Sequence, residues 1–213
     1  MTDMSVITST GIIAIVRGDH AAQVHTVATA LYEGGVRAVE VTMNSPGALD
    51  MIAGLAAKWQ DRMLIGAGTV LTVEQFDAAV SAGAQFVVMP DTFPPVIERA
   101  RQRGIEPIPG AYTATEVRTA VRAGARYVKL FPAMPAGPKY LAQLRAPLDG
   151  VHFVPTGGID DANLTDFVRA GAVALGIGST LVSRRFDGSP AQMDNLRDTA
   201  QLLVSLFAQA RRT

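Results

Sequence analysis

The chain has 213 residues, with nineteen basic and nineteen acidic side chains and a formal net charge of zero at neutral pH. It contains no cysteine, which excludes a disulfide framework, a thiolate metal site and a cysteine nucleophile. The charge balance, without any basic block, argues against a nucleic-acid partner. The length suits one domain that spans residues 1–213.

The location of the protein is predicted from its start and from its apolar runs. Residues 1–18 lack the basic start and the small-residue cleavage pattern of a secretory signal. No apolar run approaches the roughly 20 residues that a membrane helix needs. We therefore expect no membrane contact and a cytoplasmic location.

Short apolar runs alternate with helical patterns in the first half of the chain. Val24, Val27, Ala28 and Leu31 recur at the i, i+3, i+4, i+7 spacing of an amphipathic helix. Helices are also predicted from about Pro46 to Trp59, after a cap at Thr72, and from Pro94 to near Gly104. The strands between them are predicted at Ile12–Val16, Ala38–Met43, Met63–Gly66 and Phe86–Pro90.

The same alternation continues in the second half. Four strands are predicted there: Glu106–Pro109, the run Tyr127–Pro132, His152–Pro155 and Val173–Leu175. Helices are predicted after the capping box Thr113–Glu116, near Pro138 and after Asp160 or Asp161. The last helix carries one apolar stripe: Met193, Leu196, Ala200, Leu203 and Phe207.

The alternation of strands and helices allows either an open doubly wound sheet or a closed barrel, and an internal repeat favours the barrel. A glycine follows a helix in four similar segments, which are Glu33–Val36, Ser81–Ala84, Arg122–Ala125 and Arg169–Ala172. The segments recur at intervals of roughly 41 to 48 residues, which matches two strand–helix units. Eight such units predict an α/β protein with a single (β/α)8 TIM barrel, and we expect a short N-terminal helix before it.

Lys129 is the first candidate for chemistry. Only three of the nineteen basic residues are lysines, and Lys58 and Lys139 lie in polar or turn-like settings. Lys129 instead lies in an apolar strand, where a buried ammonium tends to lose its proton. The neutral amine is the nucleophile that forms a Schiff base with a carbonyl. The alternative is a strand-end lysine that reaches solvent or pairs with a carboxylate.

A barrel of this kind holds its active site at the C-terminal ends of the strands. Glu40 lies inside a predicted strand near such an end, so we expect its carboxylate to face Lys129. The alternative for Glu40 is a structural partner for a charge such as Arg17. The glycines after the last two strands are typical of a phosphate site, although they also suit tight turns: Gly157, Gly158 and Gly178, with the Ser179 hydroxyl beside them.

No metal site and no cofactor are predicted. The three histidines, His20, His25 and His152, stand apart from any carboxylate cluster, and a surface role is expected for them.

Four motifs together resemble the family of 2-keto-3-deoxy-6-phosphogluconate (KDPG) and 4-hydroxy-2-oxoglutarate (KHG) aldolases. They occur in the family's order over nearly the whole chain: Glu40–Thr42, Gly66–Val70, Lys129–Ala133 and Pro155–Ile159. The resemblance implies a metal-free class I aldolase on a (β/α)8 barrel, a keto-acid substrate and a homotrimer.

By position, the resemblance makes Lys129 the Schiff-base lysine and Glu40 the general acid and base. It implies that Arg17 and Thr69 bind the substrate carboxylate and that the four residues Gly157, Gly158, Gly178 and Ser179 bind its phosphate. Pro90, Phe131 and Thr156 are expected to contact the substrate.

One departure from the family pattern concerns the substrate. The best-known KDPG aldolases have an arginine that helps to bind the carboxylate where this chain has Asn44, and we expect Asn44 to bind the carboxylate together with Arg17 and Thr69. The Asn44–Pro46 segment resembles the phosphogalactonate branch, whereas Thr156 before Gly157 resembles the phosphogluconate branch. Two rival functions remain from the residues alone, a phosphate-barrel isomerase or epimerase and a non-catalytic sugar-phosphate-binding barrel.

Overall fold

The computed structural model describes residues 3–183 and 185–212. Strands and helices alternate through these residues, as predicted. The strands are β1 (Ile12–Val16), β2 (Ala38–Thr42), β3 (Leu64–Gly68), β4 (Phe86–Val88), β5 (Glu106–Ile108), β6 (Gly110–Ala111), β7 (Tyr127–Leu130), β8 (His152–Pro155) and β9 (Leu175–Ile177). The helices are α1 (Ser5–Thr10), α2 (Val24–Glu33), α3 (Ala48–Trp59), α4 (Val73–Ser81), α5 (Pro94–Gln102), α6 (Ala114–Arg122), α7 (Ala133–Arg145), α8 (Leu164–Arg169) and α9 (Pro190–Ala210).

All strand pairs are parallel and fall into two sheets. The larger sheet has the order β5-β4-β3-β2-β1-β9 and the smaller has the order β6-β7-β8. An isolated parallel bridge between Thr156 and Gly176 joins β8 to β9. On the other side, the Lys129 N–H donates to the Pro109 carbonyl at 2.8 Å. The structure therefore confirms a parallel α/β fold, with a six-stranded curled sheet and a three-stranded one.

The predicted strand Glu106–Pro109 appears as two strands. β5 ends at Ile108, and β6 begins at Gly110. Pro109 lies between them and has no N–H to donate to a ladder. The chain therefore changes partner at this residue, with β5 pairing to β4 and β6 pairing to β7.

The helices pack their apolar stripes on the outside of the strands. The predicted stripe of α2 is confirmed, because Val24, Val27, Ala28 and Leu31 are buried. Every residue of β1, β2 and β3 is also buried. Strands covered on both faces read as continuous apolar runs, which is why they were recognisable in the sequence. No helix in the described ranges is long and apolar enough to cross a membrane.

A second group of buried side chains fills the concave side of the strands. We call it the inner cluster, and it contains Met4, Ile7, Ile13, Ala38, Leu64, Phe86, Val88, Ile108, Tyr127, Val154 and Ala174. Four of its members are the first residues of their strands, Ala38, Leu64, Phe86 and Tyr127, while Ile7 comes from α1 and Met4 caps that helix. The predicted N-terminal helix is thus confirmed, and it covers the N-terminal ends of the strands. The C-terminal ends are left for polar side chains.

The predicted helix starts agree with the structure where a cap fixes them. Thr72 accepts the N–H of Gln75, and Thr113 with Glu116 forms a complete capping box. The predicted helix start near Pro138 is confirmed in part, because α7 runs from Ala133 to Arg145 but is interrupted by the non-helical Gly137, with a φ of +74°, and a second helical segment begins at Pro138. Asp160 caps the turn before α8 by accepting the N–H groups of Ala162 and Asn163.

The last predicted strand, Val173–Leu175, was placed too early. β9 covers Leu175–Ile177, and its partner β1 sets this register, because Ile12 pairs with Leu175 and Ala14 with Ile177. The shift moves Gly178 and Ser179 to the C-terminal end of the sheet, beside the residues that follow β8.

Candidate active site

A cavity of about 310 Å³ opens at the C-terminal ends of β1, β7, β8 and β9. Eight of the twelve residues that were predicted to form the site line it. They are Arg17, Lys129, Phe131, Thr156, Gly157, Gly158, Gly178 and Ser179. Residues separated by up to 162 positions in the chain thus meet at one site because their strands end on the same side of the fold (179 − 17 = 162).

Lys129 lies on the wall of this cavity in β7, between β6 and β8. Its side chain is almost wholly buried, with 4% of the residue exposed. Burial lowers the pKa of the ammonium, the negative charge of Glu40 raises it again, and the positive charge of Arg17 lowers it further. The Nζ atom lies 4.7 Å from the centroid of the Phe131 ring. The net effect lowers the pKa of Lys129, so this amine, which lines the cavity, loses its proton more easily than an exposed lysine does.

Glu40 occupies the middle of β2 and is 2% exposed. Burial raises the pKa of its carboxyl group, while the positive charges of Lys129 and Arg17 lower it. No ion pair within 4.0 Å joins Glu40 to Lys129 in the part of the chain that the structure describes. The carboxyl group lies against Gly68, where an added Cβ would stand 2.7 Å from Oε1. A side chain at position 68 would therefore displace the Glu40 carboxyl group.

Arg17 and Thr69 follow directly after β1 and β3. The Arg17 Nη2 atom donates to the Thr69 hydroxyl at 3.4 Å, which is a long hydrogen bond. Thr69 has a φ of +56°, a left-handed conformation that costs a β-branched residue roughly 1–3 kcal/mol. Such strain tends to occur at binding and catalytic sites, and here it brings a hydroxyl group beside the guanidinium that lines the cavity.

The glycines after β8 and β9 form one corner of the cavity. Gly157 and Gly158 have φ values of +96° and +78°, which only glycine adopts without strain. The Gly178 carbonyl accepts the N–H groups of Leu181 and Val182, so the chain begins a helical turn there. The N–H of Ser179 has no acceptor among the described residues, and its side chain is exposed. This corner thus offers N–H and hydroxyl donors to an anion.

Four predicted residues lie outside the cavity lining. Glu40 and Thr69 lie behind it, against Gly68 and Arg17. Pro90 packs its carbonyl against Gly110, where an added Cβ would stand 2.3 Å away. Asn44 is exposed, and no hydrogen bond of its side chain is seen in the described structure.

Sequence reasoning missed two polar residues near the cavity. Thr180 lines it and donates its hydroxyl to the Ile159 carbonyl at 3.0 Å. Ser45 is buried at the end of β2 and accepts the N–H of Gly18 at 3.0 Å. The signal for Thr180 was its place directly after Ser179. Ser45 lies within the Asn44–Pro46 segment that resembles the phosphogalactonate branch, but no role was predicted for its hydroxyl.

The predicted surface role was wrong for His20. Its side chain is completely buried beside Gly18, and both ring nitrogens are without hydrogen-bond partners in the described structure. His25 and His152 are exposed, as predicted. His20 follows β1 directly, where the chain turns back over the sheet, so a loop position did not imply exposure. Residues 3–183 and 185–212 contain no cluster of three potential metal-ligating His, Asp or Glu side chains.

Comparison with known proteins identifies the family. The family model described as "KDPG and KHG aldolase" matches residues 4–195. The chain belongs to this aldolase family. It is therefore an aldehyde-lyase, and the resemblance of its four motifs is confirmed.

The aldolase is similar to proteins from both substrate branches. It is 39% identical to the 2-dehydro-3-deoxy-6-phosphogalactonate aldolase of Escherichia coli (strain K12), over 80% of this chain and 83% of that one. It is 43% identical to the 2-dehydro-3-deoxy-phosphogluconate aldolase of Treponema pallidum (strain Nichols), over 73% of this chain and 74% of that one.

A solved structure extends the comparison to nearly every residue. The KDPG aldolase of Legionella pneumophila, captured with pyruvate as a covalent carbinolamine intermediate, is 27% identical. It aligns with a TM-score of 0.80 over 99% of this chain and 98% of that one. The two sheets and the surrounding helices therefore have the arrangement of a known aldolase.

Replacement of Glu40 by Gln should separate catalysis from stability. We expect Glu40→Gln to lower kcat by about 10² to 10⁴-fold, the usual contribution of a general acid or base. Because the folded pKa of Glu40 lies above its ordinary value of 4.5, the folded state binds this proton more tightly than the unfolded state. The stability of the wild type should therefore fall as pH rises above 4.5, and the variant should lack that loss.

The measurements are steady-state kinetics and thermal unfolding of both proteins across that pH range. The exposed Glu98 on α5 provides the matched control, because Glu98→Gln makes the same chemical change far from the cavity. Activity of Glu40→Gln within about threefold of wild type, which is under ~1 kcal/mol of barrier, would assign proton transfer to another group.

Proposed function

We propose that the protein is a class I, Schiff-base aldolase that cleaves 2-keto-3-deoxy-6-phosphogluconate to pyruvate and glyceraldehyde 3-phosphate. It also cleaves 4-hydroxy-2-oxoglutarate to pyruvate and glyoxylate, and it needs no metal or cofactor. The observation that carries this proposal is Lys129, a buried lysine of lowered pKa that faces a cavity with Glu40 close by. The covalent pyruvate adduct in the Legionella pneumophila relative supports the same chemistry.

The reaction begins with the neutral amine of Lys129. It attacks the C2 carbonyl carbon of the keto acid, and the carbinolamine loses water to give a cationic iminium. Glu40, directly or through a water molecule, accepts the proton of the C4 hydroxyl. The C3–C4 bond then breaks, its electron pair flows to the iminium as an enamine, and the aldehyde leaves. Protonation at C3 and hydrolysis of the iminium release pyruvate and restore the amine.

Phe131 lies where the positive charge develops. Its ring centroid is 4.7 Å from the Lys129 Nζ, a distance at which a ring face attracts a cation. Lys129 is uncharged before attack, whereas the iminium is cationic. The ring therefore stabilises the intermediate more than the free amine, and such a difference favours reaction over mere binding.

The substrate carboxylate is bound at the mouth near β1 and β3. Arg17 lines the cavity, and its guanidinium offers the forked donors that suit a carboxylate. The Thr69 hydroxyl bonds to Arg17 and adds a second polar group. Asn44 contributes a neutral donor at the rim.

The phosphate is bound at the corner after β8 and β9. Gly157, Gly158, Gly178 and Ser179 all line the cavity with Lys129, and Thr156 lies between the two ends. The glycines let the anion approach the backbone N–H groups closely. A substrate with a carboxylate at one end and a phosphate at the other spans this cavity with its C2 carbonyl near Lys129.

A second candidate is cleavage of the C4 epimer, 2-keto-3-deoxy-6-phosphogalactonate. The Asn44–Pro46 segment favours it, as does the identity to the Escherichia coli phosphogalactonate aldolase. Thr156 and the identity to the Treponema pallidum enzyme favour the gluconate. The ratio of kcat/KM for the two purified epimers decides between the branches.

The remaining parts of the proposal concern assembly and location. Residues 1–213 form one domain in which the two sheets close into a single (β/α)8 barrel, supported by the Thr156–Gly176 bridge on one side and the Lys129–Pro109 bond on the other. The protein is a cytoplasmic homotrimer. Leu71 and Phe93 are large apolar residues exposed at 45% and 37%, which suits an interface between copies. Light scattering of the purified protein gives the number of copies.

The Schiff base is tested by trapping. Incubation with pyruvate and borohydride should reduce the iminium to a stable secondary amine on the peptide that contains Lys129. Lys58→Arg and Lys139→Arg are the matched controls and should retain full trapping, whereas Lys129→Arg should lose it. An adduct on Lys58 or Lys139 would reassign the nucleophile. Absence of any adduct would favour an isomerase or a binding protein.

The phosphate corner is tested with a like charge. Ser179→Asp should reduce kcat/KM for the 6-phospho substrate by at least tenfold and change it little for 4-hydroxy-2-oxoglutarate, because only the former brings a phosphate to the new carboxylate. Ser183→Asp adds the same charge one turn later, at an exposed serine outside the cavity lining, and should have a smaller effect. An equal loss for both substrates with Ser179→Asp would place the phosphate elsewhere.

A further inference from the structure

We propose that Ser45 is a positioning residue for Arg17. Its buried hydroxyl holds the backbone of Gly18, and this contact aims the Arg17 guanidinium at the carboxylate of the keto acid. The inference rests on the proposed aldolase reaction and adds to it a residue for which the sequence predicted no role.

Ser45 is anchored to the end of β2. It is 6% exposed, and its N–H donates to the Thr42 carbonyl at 2.9 Å. Its Oγ lies 2.9 Å from the hydroxyl of Thr42, a residue of β2 that is completely buried. Because β2 lies between β1 and β3 in the larger sheet, the Ser45 hydroxyl has a fixed position relative to both neighbouring strand ends.

The hydroxyl of Ser45 also reaches across to the segment after β1. It accepts the N–H of Gly18 at 3.0 Å, a contact between residues 27 positions apart. A serine oxygen has two lone pairs and one proton, so it accepts from Gly18 and still shares a hydrogen bond with Thr42. The contact thus joins the residue after Arg17 to the rigid end of β2.

Arg17 needs such a fixed point because little else restrains it. Its side chain is exposed, and the hydrogen bond that it makes in the described structure is the long 3.4 Å contact with the Thr69 hydroxyl. The preceding residue, Val16, is held in β1, but the following residue is Gly18, with a φ of +119°. A glycine in this region has wide conformational freedom, so the backbone after Arg17 is flexible without an anchor. The bond from Gly18 to Ser45 supplies the anchor.

An oriented guanidinium binds its carboxylate without first losing conformational freedom. The ordering of a long side chain and its loop costs free energy on binding, and preorganisation removes that cost. Loss of the hydrogen bond from Gly18 to Ser45 should therefore weaken binding of the keto acid and raise KM, while kcat, which reports the chemistry at Lys129, should change little. A residue that merely stabilised the fold would not show this dependence on Arg17.

The test is a double-mutant cycle with Arg17, measured on the C4 epimer that the wild type cleaves faster. We expect Ser45→Ala to raise KM about tenfold, which corresponds to ~1.4 kcal/mol, with kcat within about threefold of wild type. Ser45→Thr retains the hydroxyl and should restore KM. Thr42→Val is the matched control, because it removes the other partner of Ser45 but leaves the Gly18 contact. In an Arg17→Ala background, Ser45→Ala should change KM by less than about twofold.

The outcomes distinguish a positioning role of Ser45, a purely structural role of Ser45, and failure of the proposed aldolase function. An equal effect of Ser45→Ala with and without Arg17 overturns the inference, and so does a change in thermal unfolding with no change in KM. If Ser45→Ala does not fold, Ser45→Cys keeps the volume with a much weaker acceptor and replaces it in the cycle. If the wild type shows neither cleavage nor borohydride trapping, the proposed function is overturned and the inference with it. If the wild type is active but the effects of Ser45→Ala and Arg17→Ala on KM are additive, only the inference is overturned.

Discussion

The burial of Lys129 and Glu40 within one fold is the constraint on which the site depends. Removal of an ion from water costs several kcal/mol, even after the protein relaxes. Attraction between opposite charges at 4 Å returns only about 4 kcal/mol at an effective dielectric constant of 20, and no ion pair this short joins these two described residues. Burial therefore outweighs attraction for both groups, and it lowers the pKa of Lys129 and raises the pKa of Glu40. Both shifts favour the uncharged form of each group, which is the form of the lysine that the proposed Schiff-base reaction needs.

Glycines in the neighbouring strands make this burial possible. Gly68 of β3 leaves room for the Glu40 carboxyl group, and an added Cβ at Gly176 of β9 would stand 2.3 Å from the Thr156 hydroxyl. Gly110 of β6 pairs directly with Lys129. Glu40 and Thr156 thus each project into space that a glycine on the next strand leaves open, whereas Gly110 is related to Lys129 by backbone pairing. In the sequence, Gly68 was noted only as part of the Gly66–Val70 motif, and no role was predicted for Gly110 or Gly176. Their spatial role becomes visible only once the strand register is known.

The sequence predicted those parts of the structure that local patterns determine. The apolar runs and the caps at Thr72 and Thr113 identified the strands and helix starts, because period and capping depend on neighbours in the chain. The break at Pro109 and the start of β9 at Leu175 depend on pairing with distant strands, so they were misplaced. Lys129 was recognisable as a lone lysine in an apolar run. Ser45 and the buried His20 were not, since their environments are built from other segments.

The sheet topology explains how a residue after β1, Arg17, can take the carboxylate-binding role that we propose in place of a residue after β2. β1 and β2 are adjacent and parallel, and Val16 pairs with Val41, so the segments after both strands reach the same rim. A cation after either strand therefore meets the same end of a substrate. In this chain Asn44 after β2 is neutral and exposed, whereas Arg17 after β1 lines the cavity. Ser45 lies beside Asn44 in the β2 segment and holds the backbone of the β1 segment. In our proposal, the segment that has Asn44 in place of an arginine still acts on the carboxylate, because its Ser45 orients Arg17.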